Sequence, residues 1–134
     1  MEEATSVVAV LDDEPQMRKA LRRLLVTHGF RVDEYAHGDE FLRALPSHPS
    51  DCLVLDLHMP EVSGFHVLAA FANPRAAMPI VVITGHDAPG TAEQVHALGA
   101  SAFLTKPVDE SALLSAIRSV IAAESRNEKG NSSV

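Results

Sequence analysis

The chain is poor in aromatic residues and in cysteine, and it has no long apolar run. Its 134 residues include no Trp, one Tyr and five Phe, so a core must consist mainly of aliphatic side chains. The single Cys52 excludes an internal disulfide and favours a reducing compartment, and we interpret it as a small core residue. No apolar run approaches the roughly 20 residues of a membrane span, and the N-terminus lacks a signal peptide. We therefore expect a cytoplasmic protein without a membrane partner.

Basic residues are also scarce relative to acidic ones. The chain has 11 Lys and Arg against 18 Asp and Glu, a net charge of −7. Nucleic-acid binding needs clusters of Lys and Arg that neutralise phosphates, so we expect no such partner. The length suits one domain, which we place at residues 1–123, with a flexible polar tail at 124–134. No second domain fits after it, and we expect no output module in this chain.

Short apolar runs alternate with segments of helical periodicity. The sequence predicts strands at 6–11, 31–35, 52–55, 80–83 and 102–104, and helices at about 15–28, 39–45, 64–72, 89–98 and after Asp109. Pro15 suits the start of the first helix, Gly29 suits its end, and Asp109 suits an N-cap. The short second run reads as an edge strand. This alternation predicts an α/β fold with a parallel sheet and right-handed crossovers.

Polar residues follow four of these strands, directly or after one intervening residue. Asp12 and Asp13 follow the first strand, Asp56 the third, Thr84 the fourth and Lys106 the fifth. In open α/β sheets the active crevice lies at the carboxyl ends of the strands. We therefore expect these residues to form one site.

The three carboxylates indicate a cation site. Like charges gathered within a few Å repel each other, and Mg²⁺, which prefers oxygen ligands, relieves that repulsion. The alternative is that Asp12, Asp13 and Glu14 only cap the next helix, whose dipole favours negative charge.

Asp56 beside such a metal pair is a candidate nucleophile, because carboxylates attack phosphorus to form aspartyl phosphates. Alone, it could be a simple loop carboxylate. The Thr84 hydroxyl could donate to a phosphoryl oxygen, or Thr84 could be an ordinary strand-end residue. Lys106 is expected to supply counter-charge to the carboxylates, with a surface lysine as the alternative.

The order Asp12-Asp13, Asp56, Thr84 and Lys106-Pro107, on a βα repeat of this length, resembles the receiver domain of two-component response regulators. The resemblance covers about residues 6–122. It implies a flavodoxin-like, doubly wound (βα)5 fold with a five-stranded parallel sheet of order 2-1-3-4-5. The run from Ile83 to Asp87 resembles receivers that often precede helix-turn-helix output domains.

The resemblance also implies roles for individual residues. Asp56 would be the phosphoacceptor. Asp13, Asp56 and the backbone carbonyl of His58 would hold Mg²⁺, with Asp12 acting largely through water. Thr84 and Lys106 would bind the phosphoryl oxygens.

Three further positions carry expectations from the same resemblance. Phe103 would be a switch aromatic that turns inward on phosphorylation, with a permanent core position as the alternative. His58 and His86 would tune the phosphoryl lifetime, unless they are solvated loop residues. The resemblance implies a cis Lys106–Pro107 bond, whereas the general rarity of cis X–Pro bonds favours trans.

The expected function is to accept a phosphoryl group from a histidine kinase or a histidine phosphotransfer protein and to signal to an output protein. Phosphorylation-dependent homodimerisation through residues 89–121 is one form that the signal could take. The chain is not expected to be an enzyme beyond its own phosphorylation and dephosphorylation. Rival readings are a Mg²⁺-dependent aspartate-nucleophile phosphatase and a phosphorylation-independent scaffold. Asp56-Leu57-His58 lacks the second carboxylate of the phosphatase signature.

Overall fold

A computed structural model describes residues 5–47, 49–57, 64–70, 78–85 and 89–132. Within these ranges, strands alternate with helices along the chain. The strands are β1 Val7–Leu11, β2 Arg31–Tyr35, β3 Cys52–Asp56, β4 Ile80–Thr84 and β5 Ala102–Thr105. The helices are α1 Pro15–Thr27, α2 Gly38–Ala44, α3 Gly64–Ala70, α4 Thr91–Ala97 and α5 Glu110–Ser132.

All strands pair in parallel in a single sheet of order β2-β1-β3-β4-β5. This confirms the predicted fold class and strand order, with β2 at the edge. The register places Leu11 beside Leu55 and Asp56 beside Ile83, so the strands end at nearly the same level. The carboxyl ends of the strands therefore form one continuous edge.

The helices α1 and α5 cover one face of the sheet. Alternate strand residues such as Val10, Val54 and Ile83 point to this face and pack with the apolar stripes of both helices. The fully or nearly fully buried helical members of this cluster are Leu21, Leu25, Leu113, Leu114 and Ile117. We call this side the α1/α5 face.

The helices α2, α3 and α4 cover the opposite face. The other set of strand residues, including Leu55 and Val82, packs there with Phe41 of α2, Leu68 of α3 and Val95 of α4. Phe103 of β5 is partly buried against this cluster. Because both faces are covered, β3 and β4 are buried along their whole length, as the continuous apolar runs predict.

The predicted helix ends at Gly29 and Asp109 are confirmed. Gly29 follows the last turn of α1 with φ of 92°, a left-handed conformation that glycine adopts without steric cost. The Asp109 carboxylate accepts a hydrogen bond from the Ala112 amide at 2.8 Å, which is N-cap geometry.

Two predicted helix boundaries differ from the structure. Helix α4 begins at Thr91 rather than Pro89, because Gly90 has a left-handed φ of 85° that no helical residue adopts. Helix α5 continues to Ser132, although a flexible tail is predicted from residue 124. That prediction relied on polarity, but Glu, Arg and Lys are also good helix formers. The domain boundary at residue 123 itself stays a prediction.

Cys52 is fully buried on the α1/α5 face and is a free thiol, as its interpretation as a core residue requires. Burial, with a smaller contribution from the nearby charge of Asp51, raises the pKa of the thiol to about 12. In the described ranges, no helix combines the length and the apolar composition needed to cross a membrane.

Candidate functional site

The end of β1 carries Asp12 and Asp13 into the site. Asp12 is fully buried, and its amide donates to the Tyr35 carbonyl at 3.2 Å, which continues the pairing of β1 with β2 by one residue. Its Oδ1 accepts a hydrogen bond from the Glu14 amide at 2.9 Å. This bond closes an Asx turn ahead of α1 and is not a helix cap, because the N-cap residue is Glu14 and no side chain caps the helix. It uses only one of the two carboxylate oxygens of Asp12.

The second oxygen of Asp12 lies 3.6 Å from the Lys106 ammonium. Asp12 Oδ2 is buried and has no hydrogen-bond partner among the described residues. Asp12, Asp13 and Asp56 each offer a carboxylate oxygen within 4.8 Å of the others. A buried acceptor without a donor costs free energy unless a cation balances it. The three carboxylates together thus fit a divalent cation, and all are hard oxygen donors.

Lys106 supplies positive charge to this cluster. Its Nζ lies 3.6 Å from Asp12 Oδ2 and 3.8 Å from Asp56 Oδ1, and its side chain is 24% exposed. The Lys106 amide donates to the Thr84 carbonyl at 2.8 Å, so β4 positions the lysine. The Lys106–Pro107 bond is cis, as the family resemblance implies and against the general preference. One ammonium against three carboxylates leaves the cluster negative.

The alternation of side chains separates the site residues into two groups. Asp56 has the same parity as Cys52 and Val54, whose side chains point to the α1/α5 face. Thr84 has the same parity as Ile80 and Val82, which point to the opposite face. Asp56 and Thr84 are both buried, yet the pleat directs them to different sides of the strand ends.

Phe103 belongs to the group of Thr84. It pairs with Val82 in the sheet, while Thr84 pairs with Thr105, so Thr84 and Phe103 are diagonal neighbours on one face. Helix α4 covers that face through Val95. A change at Thr84 is thus adjacent to the aromatic ring and the helix that were predicted to respond.

Two predicted site residues, His58 and His86, lie outside the described residues. Their roles in cation binding and phosphoryl lifetime stay predictions. Sequence reasoning also missed Arg18, which contacts the backbone of Asp12, and Glu34, which pairs with Arg18. Arg18 donates to the carbonyl of Asp12 at 2.8 Å and pairs with Glu34 at 3.5 Å. Neither residue follows a strand, so the strand-end rule could not identify them.

The fold and the site together define a class: doubly wound α/β domains with an acidic cluster at the carboxyl edge of the sheet. Residues 8–118 match the family described as the response regulator receiver domain. The chain belongs to this family, and it is a receiver domain of the two-component response regulators.

Similar proteins support the same assignment. The transcriptional regulatory protein FixJ of Azorhizobium caulinodans is 34% identical over 130 residues, which are 95% of this chain and 62% of that protein. The response regulator protein TmoT of Ectopseudomonas mendocina is 36% identical over 122 residues, 90% of this chain and 55% of that protein. This chain therefore spans less than two thirds of the length of either relative.

Solved structures agree on the fold. The crystal structure of FixJ-N has a TM-score of 0.82 at 31% identity and covers 90% of this chain and 96% of that one. A CheY-like receiver domain protein from Methanospirillum hungatei has a TM-score of 0.86 at 20% identity, covering 92% and 99%. The second likeness concerns the fold alone.

Proposed function

We propose that Asp56 is the phosphoacceptor of this receiver domain. The observation that carries the proposal is the convergence of Asp12, Asp13 and Asp56 within 4.8 Å, with the Lys106 ammonium 3.8 Å from Asp56. Asp56 is the member of this cluster that ends the central strand β3. An oxygen beside both a cation site and an ammonium is well placed to receive a group rich in negative charge.

The reaction at Asp56 is a phosphoryl transfer. A carboxylate oxygen attacks phosphorus in line with the bond to the donor nitrogen of a phosphohistidine. The new O–P bond forms as the N–P bond breaks, and the imidazole nitrogen keeps the bonding electron pair. Lys106 stays close enough to pair with the oxygens of the transferred group, so the added negative charge has a fixed partner.

The proposed cation is Mg²⁺. Asp12, Asp13 and Asp56 would hold it, and the chemistry it would supply is neutralisation and orientation of the transferred group. The buried Oδ2 of Asp12 supports this assignment, because it accepts no hydrogen bond from the described residues and has the Lys106 ammonium 3.6 Å away. The backbone carbonyl of His58 stays a predicted ligand.

Phosphorylation of Asp56 would then change the conformation of the opposite face of the sheet, which α2, α3 and α4 cover. The new group carries about −1.5 to −2 charges, and the Thr84 hydroxyl is a donor at the neighbouring strand end. We propose that Thr84 moves toward the new oxygens and that Phe103 turns inward. The surface formed by residues 89–121 would then bind an output partner or a second copy of the chain.

Acetyl phosphate with Mg²⁺ tests the phosphoacceptor assignment. Intact-mass spectrometry should show one added phosphoryl group on the unaltered protein and none on Asp56→Asn. Asp39→Asn is the matched control, because Asp39 is an exposed carboxylate on α2 and should leave labelling unchanged. Undiminished labelling of Asp56→Asn would contradict the assignment.

The proposed phosphodonor is a histidine kinase or a histidine phosphotransfer protein. A groove of about 220 Å³ lies between α1 and the start of α5, and Lys106 lines it together with apolar residues, Met17, Leu24, Pro107 and Val108 among them. A donor that reaches Asp56 has to approach beside Lys106. We propose that the donor's apolar surface docks in this groove.

A charge placed in the groove tests that docking. Ala20 lines the groove and is exposed, so Ala20→Glu should be tolerated by the fold. It should slow transfer from the cognate kinase about tenfold while labelling by acetyl phosphate stays unchanged. Thr27→Glu, at the other end of α1, is the control. Equal slowing by both variants, or an effect on acetyl phosphate labelling, would contradict the groove.

The proposal includes the absence of turnover on external substrates. The aspartate-nucleophile phosphatase reading predicts multiple turnovers of a small phosphate ester such as para-nitrophenyl phosphate. We expect at most one phosphoryl group transferred per chain. The scaffold reading predicts neither labelling nor cation affinity, so labelling and turnover together separate the three readings. We propose the cytoplasm as the compartment, in keeping with the unpaired Cys52.

A further inference from the structure

Arg18 is a charged residue held in an unusual way for a surface helix. It lies in the first turn of α1, and its side chain is only 19% exposed. Its Nη1 donates to the backbone carbonyl of Asp12 at 2.8 Å, while its Nε lies 3.5 Å from Glu34 Oε1 on β2. One guanidinium thus joins the end of β1 to the neighbouring edge strand.

The peptide unit that Arg18 binds, between Asp12 and Asp13, belongs to the acidic cluster. The Asp12 amide donates to the Tyr35 carbonyl of β2. The Asp12 carbonyl accepts from Arg18, which itself pairs with Glu34 of β2. The Asp12 carbonyl belongs to the Asp12–Asp13 peptide plane, so holding its direction restricts how the Asp13 carboxylate can be presented to Asp56.

Glu34 completes the arrangement. It pairs with Arg18 through Oε1 and with Arg22 through Oε2, the latter at 3.1 Å. Arg22 is the more exposed of the two arginines, with 57% of its side chain accessible, and its Nη1 donates to Glu34. The two arginines therefore share an anion, but Arg18 is the one that reaches the site through Asp12.

We propose that Arg18 is a positioning residue for the cation site, acting on Asp13 through the Asp12 carbonyl and held in place by Glu34. The inference rests on the proposed function, since it presumes that the acidic cluster binds a cation. Arg18 itself does not touch the cation. It holds the peptide whose orientation aligns two of the three carboxylates.

Mg²⁺, the proposed cation, and Ca²⁺, used as a probe, differ in how much they need this alignment. Mg²⁺ requires nearly ideal octahedral geometry with oxygens at about 2.0–2.1 Å, whereas Ca²⁺ accepts six to eight ligands in flexible geometry at about 2.3–2.6 Å. Loosening the Asp12–Asp13 peptide should therefore weaken Mg²⁺ more than Ca²⁺. A general loss of structure would weaken both cations alike.

Isothermal titration of Mg²⁺ and of Ca²⁺ into the unphosphorylated protein tests the proposal. We expect Arg18→Gln to lower Mg²⁺ affinity about tenfold, at the lower end of the effect of residues that orient ligands. Ca²⁺ affinity should fall less than about threefold. Arg22→Gln is the matched control, since it removes a pairing with the same Glu34 but no contact with Asp12, and it should leave both affinities unchanged.

The possible outcomes distinguish failure of this inference from failure of the proposed function on which it rests. Normal Mg²⁺ affinity in folded Arg18→Gln, or equal losses for the two cations, overturns the inference alone. Failure of the unaltered protein to bind Mg²⁺ removes the proposed function and the inference with it. If Arg18→Gln does not fold, Glu34→Gln replaces it in the experiment, because Glu34→Gln removes the ion pair that holds the Arg18 guanidinium. A lowered ratio of Mg²⁺ to Ca²⁺ affinity in Glu34→Gln supports the proposal, and an unchanged ratio overturns it.

Discussion

The two faces of the sheet differ in the length of the helices that cover them. On the α1/α5 face, α1 has 13 residues and buries two leucines, and α5 has 23 residues and buries two leucines and an isoleucine. On the opposite face, α2 and α4 have seven residues each. Isolated helices this short are marginal, so they depend on the few side chains that anchor them. For α4 the anchor is mainly Val95.

The site residues divide between these faces in the same way. The carboxylate of Asp56 and its counter-charge Lys106 belong to the side of the long helices, and Arg18 of α1 grips the adjoining peptide. Thr84 and Phe103 belong to the side of α4. Binding a cation and a phosphoryl group needs fixed geometry, whereas reporting their presence needs an element that can shift. Under the proposed function, these two tasks fall on opposite faces of the sheet.

The largest expected effect concerns the two halves of the core, where truncating a buried leucine should lower the free energy of unfolding to a similar extent on either face. Leu25 on one face and Leu68 on the other are both fully buried. Truncating either to Ala should lower the free energy of unfolding by about 2–5 kcal/mol in urea titrations. Val26→Ala is the control, since Val26 is 51% exposed and should cost less than about 0.5 kcal/mol. A near-zero cost for Leu68→Ala would mean that the faces differ in packing and not only in helix length.

The second prediction concerns the charge gathered on the α1/α5 side. Added Mg²⁺ at a hundredfold excess over its dissociation constant should raise the free energy of unfolding by about 2.7 kcal/mol. Asp13→Asn should lose this response and should be more stable than the unaltered protein in EDTA by on the order of 1 kcal/mol, because one repelling charge is gone. Asp39→Asn should keep the full response to Mg²⁺. Loss of the response in Asp39→Asn would indicate that the cation acts elsewhere.

The third prediction uses Cys52 to test whether water reaches the core on the α1/α5 face. The thiol ionises at 9.0 in its ordinary setting but has a pKa of about 12 in the fold. Between these values the unfolded chain binds fewer protons than the folded one, so stability should fall as pH rises, by up to about 1.4 kcal/mol per pH unit. Below the ordinary thiol pKa this contribution is constant.

Cys52→Ala supplies the reference for that slope. Urea unfolding of both proteins at about pH 8 and about pH 10 should show the extra loss only in the protein that has the thiol. Parallel behaviour of the two proteins would mean that the thiol is reached by water in the native state.

The smallest expected effect concerns the mobility of α4. Amides of α4 should exchange with deuterium at least about threefold faster than those of the middle of α1, because α4 opens locally with few buried contacts. Beryllium fluoride with Mg²⁺, which mimics the phosphoryl group, should change exchange in α4 and leave α1 unaltered. Hydrogen exchange followed by mass spectrometry of peptides measures both. Equal protection of the two helices would remove the proposed contrast between a fixed face and a movable one.

Much of this arrangement follows from local patterns. The apolar runs that end in Asp56 and Thr84 are strands because they are short, rich in β-branched residues and bounded by turn residues. Gly29 and Asp109 mark helix ends through backbone freedom and side-chain capping, both of which are local effects. The late start of α4 escaped prediction because Gly90 and Pro89 read equally well as a turn or as a first helical turn.

Other features could not be obtained this way. Arg18 contacts Asp12 six residues earlier and Glu34 on another strand, and no periodicity marks that pairing. The separation of Asp56 from Thr84 onto different faces depends on the register of β3 against β4. Extension of α5 past residue 123 was missed because composition reports polarity and not backbone conformation.

The sequence by itself determined the alternation of strands and helices, the edge to which the polar residues belong, and the family. It could do so because hydrophobic periodicity and strand-end position are properties of neighbouring residues. Only the tertiary structure decided which carboxylate oxygen of Asp12 is left without a donor, how close Lys106 comes to Asp56, and which residue holds the Asp12–Asp13 peptide. Those features arise where separate strands and helices meet, and the distances between these elements are set by packing of the whole domain.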